Sequence, residues 1–154
     1  MTEEEVYFDA LAFAVKAHGP QLDRSGFPYI LHPVRIAEQF ILNDQMPLAI
    51  LALLHDVVED TAVTLENIKS KFGTQVATSI DHLTHRKGQE TYKQYIKRVT
   101  HDHAAVLVKL ADIRDNLYRR GGVNSGEEKR YLDAIVVLEK ARQLTYVKCP
   151  CCDG

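Results

Sequence analysis

The sequence predicts an all-α protein, a single-domain bundle of helices, and three observations carry that expectation. Apolar residues recur at helical rather than strand spacing along most of the chain. Helix start and stop residues cut that pattern into segments of ordinary helix length. No run of alternating residues is long enough for a strand, and the one ambiguous stretch is Val106-Leu107-Val108. With 154 residues, 45% hydrophobic and 26% charged, the chain suits one domain around one core.

The elements follow in order. Val6, Phe8, Leu11, Ala12, Val15 and Ala17 predict a first amphipathic helix, which Gly19-Pro20 ends. Residues 19–28 hold two glycines and two prolines and read as a loop. A helix from about Pro33 to Leu42 has proline in its first turn, and Asn43-Asp44 breaks it. Met46 to Asp60 is the most apolar helix. Thr64-Leu65-Glu66-Asn67 resembles a helix start and Lys71-Phe72-Gly73 a stop. Further helices are expected over Thr74–Leu83, Thr91–Val99, Ala104–Tyr118 and Ser125–Leu144, the last two separated by Gly121-Gly122.

Bulk properties exclude some functions. A net charge of −2 and a pI near 6.4 give no electrostatic footprint for nucleic acid. No apolar stretch reaches membrane-span length, and the acidic start Met1-Thr2-Glu3-Glu4-Glu5 is unlike a signal peptide. The cysteines, Cys149, Cys151 and Cys152, cluster at the end and form no disulfide framework. The expectation is a cytoplasmic protein with a domain over residues 1–146 and a flexible tail over 147–154. Three thiols so close together do not complete a tetrahedral zinc site alone.

The chemistry concentrates in Leu54-His55-Asp56-Val57-Val58-Glu59-Asp60. On a regular helix, with about 100° per residue, His55, Glu59, Asp56 and Asp60 share one polar arc. That arc lacks the lysines and arginines of a solvated face. Three carboxylates packed together repel unless a cation joins them, and imidazole with carboxylate suits zinc, manganese or iron(II) rather than calcium. A second histidine, His32, stands beside Pro33 at a loop-to-helix junction. Asp112 follows an apolar run and Asn116 lies one turn on, on the same face. A buried Asp112 needs a partner.

Together these residues resemble a known family. The pattern of a His, a His-Asp pair and a later Asp is similar to the HD superfamily of metal-dependent phosphohydrolases. Ala17-His18 with Gln21, Gly26-x-Pro28-Tyr29-Ile30-x-His32-Pro33, His55-Asp56-Val57-Val58-Glu59-Asp60-Thr61 and Lys109-Leu110-Ala111-Asp112 with Asn116 resemble the hydrolase domain of the RelA/SpoT alarmone enzymes and the small stand-alone alarmone hydrolases. The resemblance implies an HD-type bundle around one divalent ion, usually Mn2+, with Fe, Co, Ni or Zn as alternatives. It implies His32, His55, Asp56 and Asp112 as ligands, and Glu59 and Asp60 as the groups that orient and deprotonate water. Asn116 would contact the ribose or phosphate of a nucleotide. Arg24, Lys109, Arg35 and Arg98 are further candidates for phosphate, Arg24 foremost, because a guanidinium forks onto two oxygens. His18 reads equally as a structural residue or as a neighbour of the metal helix.

One position departs from the pattern. Alarmone hydrolases carry a basic Arg-Lys pair where this chain has Asp23-Arg24. The first basic residue helps hold the guanine nucleoside there, so Asp23 becomes a candidate specificity residue. Three readings stand: a 3′-pyrophosphohydrolase of (p)ppGpp-like alarmones; a phosphatase or pyrophosphatase of another nucleotide or dinucleotide; and a catalytically silent nucleotide-binding module. The expected partner is a nucleotide, with no nucleic acid and no membrane, and a homo-oligomer stays open.

Overall fold

The structure, a computed structural model, describes residues 1–119 and 122–146. The cysteines of the tail lie outside the described residues. Among those residues are nine helices and a single isolated bridge, Leu22 to Pro28. The helices are α1 (Glu3–His18), α2 (Leu31–Ile41), α3 (Met46–Leu54), α4 (Val57–Asp60), α5 (Leu65–Phe72), α6 (Thr74–Leu83), α7 (Tyr92–Val99), α8 (His103–Tyr118) and α9 (Ser125–Tyr146). Val106-Leu107-Val108 is helical, inside α8. No helix among the described residues is long and apolar enough to cross a membrane.

Local chemistry sets the boundaries. Thr2, Thr64 and Thr91 each cap a helix through reciprocal bonds with Glu5, Asn67 and Gln94, and Asp102 caps α8 through the Ala105 N–H. Asp44 takes a left-handed backbone, φ 58°, just past α2, where a short polar side chain tolerates it.

The all-apolar α3 is the hub, with Ala49 to Leu54 all buried. Helices α1, α2 and α8 pack on it, α2 also meets α8, and α9 lies against α7 and α8. Ala10 and Ala14 bring α1 close to α3, so Phe8 and Val15 of the expected apolar stripe turn outward. Truncating a fully buried side chain such as Leu53 to alanine costs about 2–5 kcal/mol.

The structure departs from the expected Met46–Asp60 helix in one respect. The helix breaks at His55-Asp56, between α3 and α4. Ala52's carbonyl, which would receive the Asp56 N–H in an unbroken helix, accepts a bond from His55 Nδ1 at 2.7 Å. Asp56 sits at φ −103°, ψ −6°. A side chain has competed for a backbone acceptor, and no glycine or proline announces it.

Candidate active site

The break decides what His55 and Asp56 can do together. Neighbours on a regular helix point about 100° apart and do not face each other. Here His55 Nε2 and Asp56 Oδ2 come within 2.9 Å. His32, in the first turn of α2, brings its Nε2 to 3.7 Å from the same Asp56 oxygen. Asp112, in the middle of α8, sets Oδ1 at 3.0 Å from His32 Nε2 and 3.6 Å from His55 Nε2. His32, His55 and Asp56 thus bring nitrogen and oxygen atoms within 4.8 Å of one another, and Asp112 borders the two imidazoles.

The outer nitrogens of both rings are committed elsewhere. His55 Nδ1 donates to the Ala52 carbonyl, and His32 Nδ1 donates to Asp115 Oδ2 at 2.6 Å. That assignment leaves the inner Nε2 atoms as lone pairs facing carboxylate oxygens, which is repulsive without a cation between them. His55 Nε2 is buried and has no hydrogen-bond partner. Electrostatics agree. Burial pushes His55 and His32 down, yet Asp56 and Asp112 around His55, and Asp112 and Asp115 around His32, hold both rings above their ordinary value. Burial pushes Asp56 and Asp112 up, yet the imidazoles, and for Asp112 first the Lys109 ammonium, hold both below the carboxylate range. The centre favours positive charge, and a divalent ion with nitrogen and oxygen ligands fits the donor atoms of His32, His55 and Asp56.

A second layer fixes these groups. Asp115 also accepts from Arg35 Nε and Nη2, at 2.9 and 2.8 Å, so Arg35 is spent on a carboxylate rather than presented to phosphate. Tyr29 donates its hydroxyl to Asp56 Oδ2. Lys109 Nζ bonds Asp112 Oδ2 at 2.6 Å and Asn116 Nδ2 bonds Asp112 Oδ1 at 2.7 Å. His18 rests its ring on Tyr29 and bonds Gln21, whose amide donates to the Asp60 carbonyl. His18 and Gln21 therefore support the site from behind, and sequence reasoning did not assign Asp115 or Tyr29 a role.

A cavity of about 510 Å3 opens over this cluster, and Asp56 and Asp112 line its floor. Glu59 and Asp60 on α4 stand on its wall. Glu59 accepts the His85 N–H at 3.0 Å and pairs with Lys87 at 2.9 Å, with Asp60 3.7 Å from the same ammonium. Burial, and the charges of Asp56 and Glu59, raise Asp60 above an ordinary aspartate. Tyr92, Tyr95, Tyr131 and Arg130 supply aromatic surface and a cation that the sequence reading did not single out. Arg24 and Asn116 line the same cavity. Arg98 is turned away, holding Glu90 and the carbonyls of Asp81 and Thr84.

Asp23 is placed differently. Its Oδ1 accepts the N–H groups of Ser25 and Phe27, at 2.8 and 3.0 Å, and so shapes the loop before α2. It lines a neighbouring cavity of about 380 Å3 with Arg35, Asp115 and Arg119.

Comparison with known proteins now bears on this arrangement. The family model described as the HD domain matches residues 10–120. The chain belongs to the HD-domain family. The matched span contains His32, His55, Asp56 and Asp112. The domain is 38% identical over 116 residues to a guanosine-3′,5′-bis(diphosphate) 3′-pyrophosphohydrolase of Aquifex aeolicus, covering 70% of this chain and 17% of that protein. It is 33% identical over 134 residues to the bifunctional (p)ppGpp synthase/hydrolase SpoT of Escherichia coli, covering 79% and 19%. The chain thus spans less than a fifth of the length of these relatives. Its fold is shared with a solved structure of a metazoan orthologue of SpoT that hydrolyses ppGpp, with a TM-score of 0.69, 24% identity, and coverage of 91% of this chain and 95% of that one.

Proposed function

We propose that this HD domain is a metal-dependent phosphohydrolase that removes pyrophosphate from the 3′ position of (p)ppGpp-like nucleotides. The observation that supports the reading is the cluster of His32, His55 and Asp56, with Asp112 beside both imidazoles and both outer imidazole nitrogens already bonded. The pyrophosphohydrolases among its relatives support the substrate class.

Those four side chains would hold one divalent ion, with manganese the first choice and iron, cobalt, nickel or zinc as alternatives. When bound, the ion supplies Lewis acidity toward a phosphoryl oxygen and lowers the pKa of water in the site. The protein supplies the rest. Asp60, raised above an ordinary aspartate, takes the proton from the attacking water, and Glu59 orients that water. The water oxygen bonds to the phosphorus on the 3′ oxygen, the bond from phosphorus to that oxygen breaks, and the oxygen leaves with a proton. The products are the 3′-hydroxyl nucleotide and pyrophosphate. Lys87, Lys109 and Arg24 line the cavity where phosphate charge must be neutralised, and Asn116, which also lines it, would contact the ribose.

The sequence departure at Asp23 leaves a second reading, hydrolysis of another nucleotide, because a carboxylate does not replace a cation that stacks on guanine, although its side chain shapes the loop and lines the neighbouring cavity. Purified protein loaded with Mn2+ and screened against a nucleotide panel including ppGpp tests both. Release of pyrophosphate and GDP from ppGpp supports the first reading. Preference for a different nucleotide supports the second. No release from any nucleotide, with the ion bound, would leave the silent-module reading.

A further inference from the structure

One ion pair of the cavity lining joins the loop before α2 to α9. Arg24, in the loop before α2, donates from Nη1 and Nη2 to the two carboxylate oxygens of Glu127, at 2.8 and 2.6 Å. Glu127 lies in the first turn of α9, more than a hundred residues along the chain, and both residues line the cavity above Asp56 and Asp112. The geometry is a two-pronged fork on two oxygens, the arrangement a guanidinium adopts on a phosphate. Arg24 is 63% exposed and Glu127 16%, so the arginine is the partner free to swing. The cavity lysines are also paired, each through its ammonium: Lys109 with Asp112 and Lys87 with Glu59.

We infer that Glu127 competes for the phosphate-binding face of Arg24, and that a pyrophosphate group must displace it, which makes Glu127 a specificity-determining residue. This rests on the reading of the cleft as a nucleotide-phosphate site. The exchange is selective by charge. A dianionic or more highly charged group can take both prongs of Arg24 from a carboxylate, whereas a neutral or singly charged ligand gains too little to do so. Glu127 then remains in the cavity lining as a repulsive element against weakly bound anions, the kind of feature by which sites discriminate.

Glu127 has a second task that the test must separate. Its N–H donates to Asn124 Oδ1 at 2.9 Å, and its Oε2 accepts the Asn124 N–H at 3.2 Å, a capping box at the start of α9. Glu127→Gln keeps a side-chain oxygen for Asn124 and removes only the charge, so it isolates the ion pair from the cap.

The probe is inorganic pyrophosphate, titrated calorimetrically into the Mn2+-loaded protein after free ion is removed. Glu127→Gln is expected to bind it roughly two- to fivefold more tightly, the scale of an exposed ion pair. Arg24→Ala is expected to bind about tenfold more weakly, the scale of a charge-assisted hydrogen bond. In the Arg24→Ala background, Glu127→Gln adds nothing further. Unchanged or weaker binding by Glu127→Gln overturns the exchange, as does equal tightening in the Arg24→Ala background, which would show long-range repulsion alone. If pyrophosphate follows the expected order but no nucleotide is hydrolysed, the proposed function fails and the exchange stands. If nucleotides are hydrolysed and the order is absent, the exchange fails.

Discussion

Replacing Asp115 with alanine tests how the metal cluster is held. Asp115 accepts three bonds, from His32 Nδ1 at 2.6 Å and from Arg35 Nε and Nη2 at 2.9 and 2.8 Å. Arg35 is partly exposed and can turn its guanidinium to water, so its loss is small. His32 is 2% exposed and has no such escape. A buried donor left unpaired costs about 1–3 kcal/mol, so the metal-free variant should lose about 2 kcal/mol of stability. The ring also loses the bond that fixes its tautomer and its aim. Removing such an outer partner weakens metal binding about 10- to 100-fold, or roughly 1.4–2.8 kcal/mol. Mn2+ affinity is measured by competition with a chelator of known strength, and stability by thermal melting with and without the ion. The two effects should appear together, with a larger loss of melting temperature in the presence of Mn2+ than in its absence. Metal affinity unchanged within twofold, despite lower stability, would refute the idea that Asp115 aims His32 at the ion.

Three other outcomes are expected. Substituting Glu59 and Asp60 together with alanine should leave Mn2+ content near normal and reduce turnover about a hundredfold or more, the scale of lost general acid–base catalysis; near wild-type turnover would place the base elsewhere. Asp23→Asn keeps an oxygen for the Ser25 and Phe27 N–H groups, whereas Asp23→Ala frees both and should cost about 1 kcal/mol in a chemical denaturation curve; equal stability of the two variants would mean the loop does not depend on that side chain. Asp115 is held below its ordinary 3.8 by Arg35 and His32 against the upward push of burial, so its contribution to stability is complete above that pH and is lost as pH falls through and below it. The melting-temperature gap between wild type and Asp115→Asn should therefore narrow below about pH 4, and a gap constant with pH would contradict the shift.

Much of the fold was legible because its signals are local. Thr2, Thr64 and Thr91 announce helix starts by hydroxyls placed three residues before a capping partner, and the apolar spacing does the rest. The break at His55-Asp56 was not legible, since it depends on an imidazole taking the Ala52 carbonyl rather than on any breaker residue. A regular wheel spread His55 and Asp56 apart, and only the break turns them to a common point. Of the site, the residue types were visible and their wiring was not. His32 with Arg35, and Asp112 with Asp115, each stand three apart on one helix face, a paired spacing that points to a bridge between α2 and α8. That pairing was the available signal for Asp115, but reading it requires knowing that the two helices meet. Asp23 and Arg24 show the opposite limit. Adjacent in sequence, they turn to different cavities, one to shape a loop and the other to reach α9.

Anomalous scattering from crystals of the Mn2+-loaded protein tests the central claim most directly. The expected map holds one peak at the floor of the cleft, with His32 Nε2, His55 Nε2, Asp56 and Asp112 each at roughly 2.0–2.3 Å, the range for first-row ions. A peak bound by other residues, or a bound ion that leaves any two of these four side chains out of reach, would contradict it.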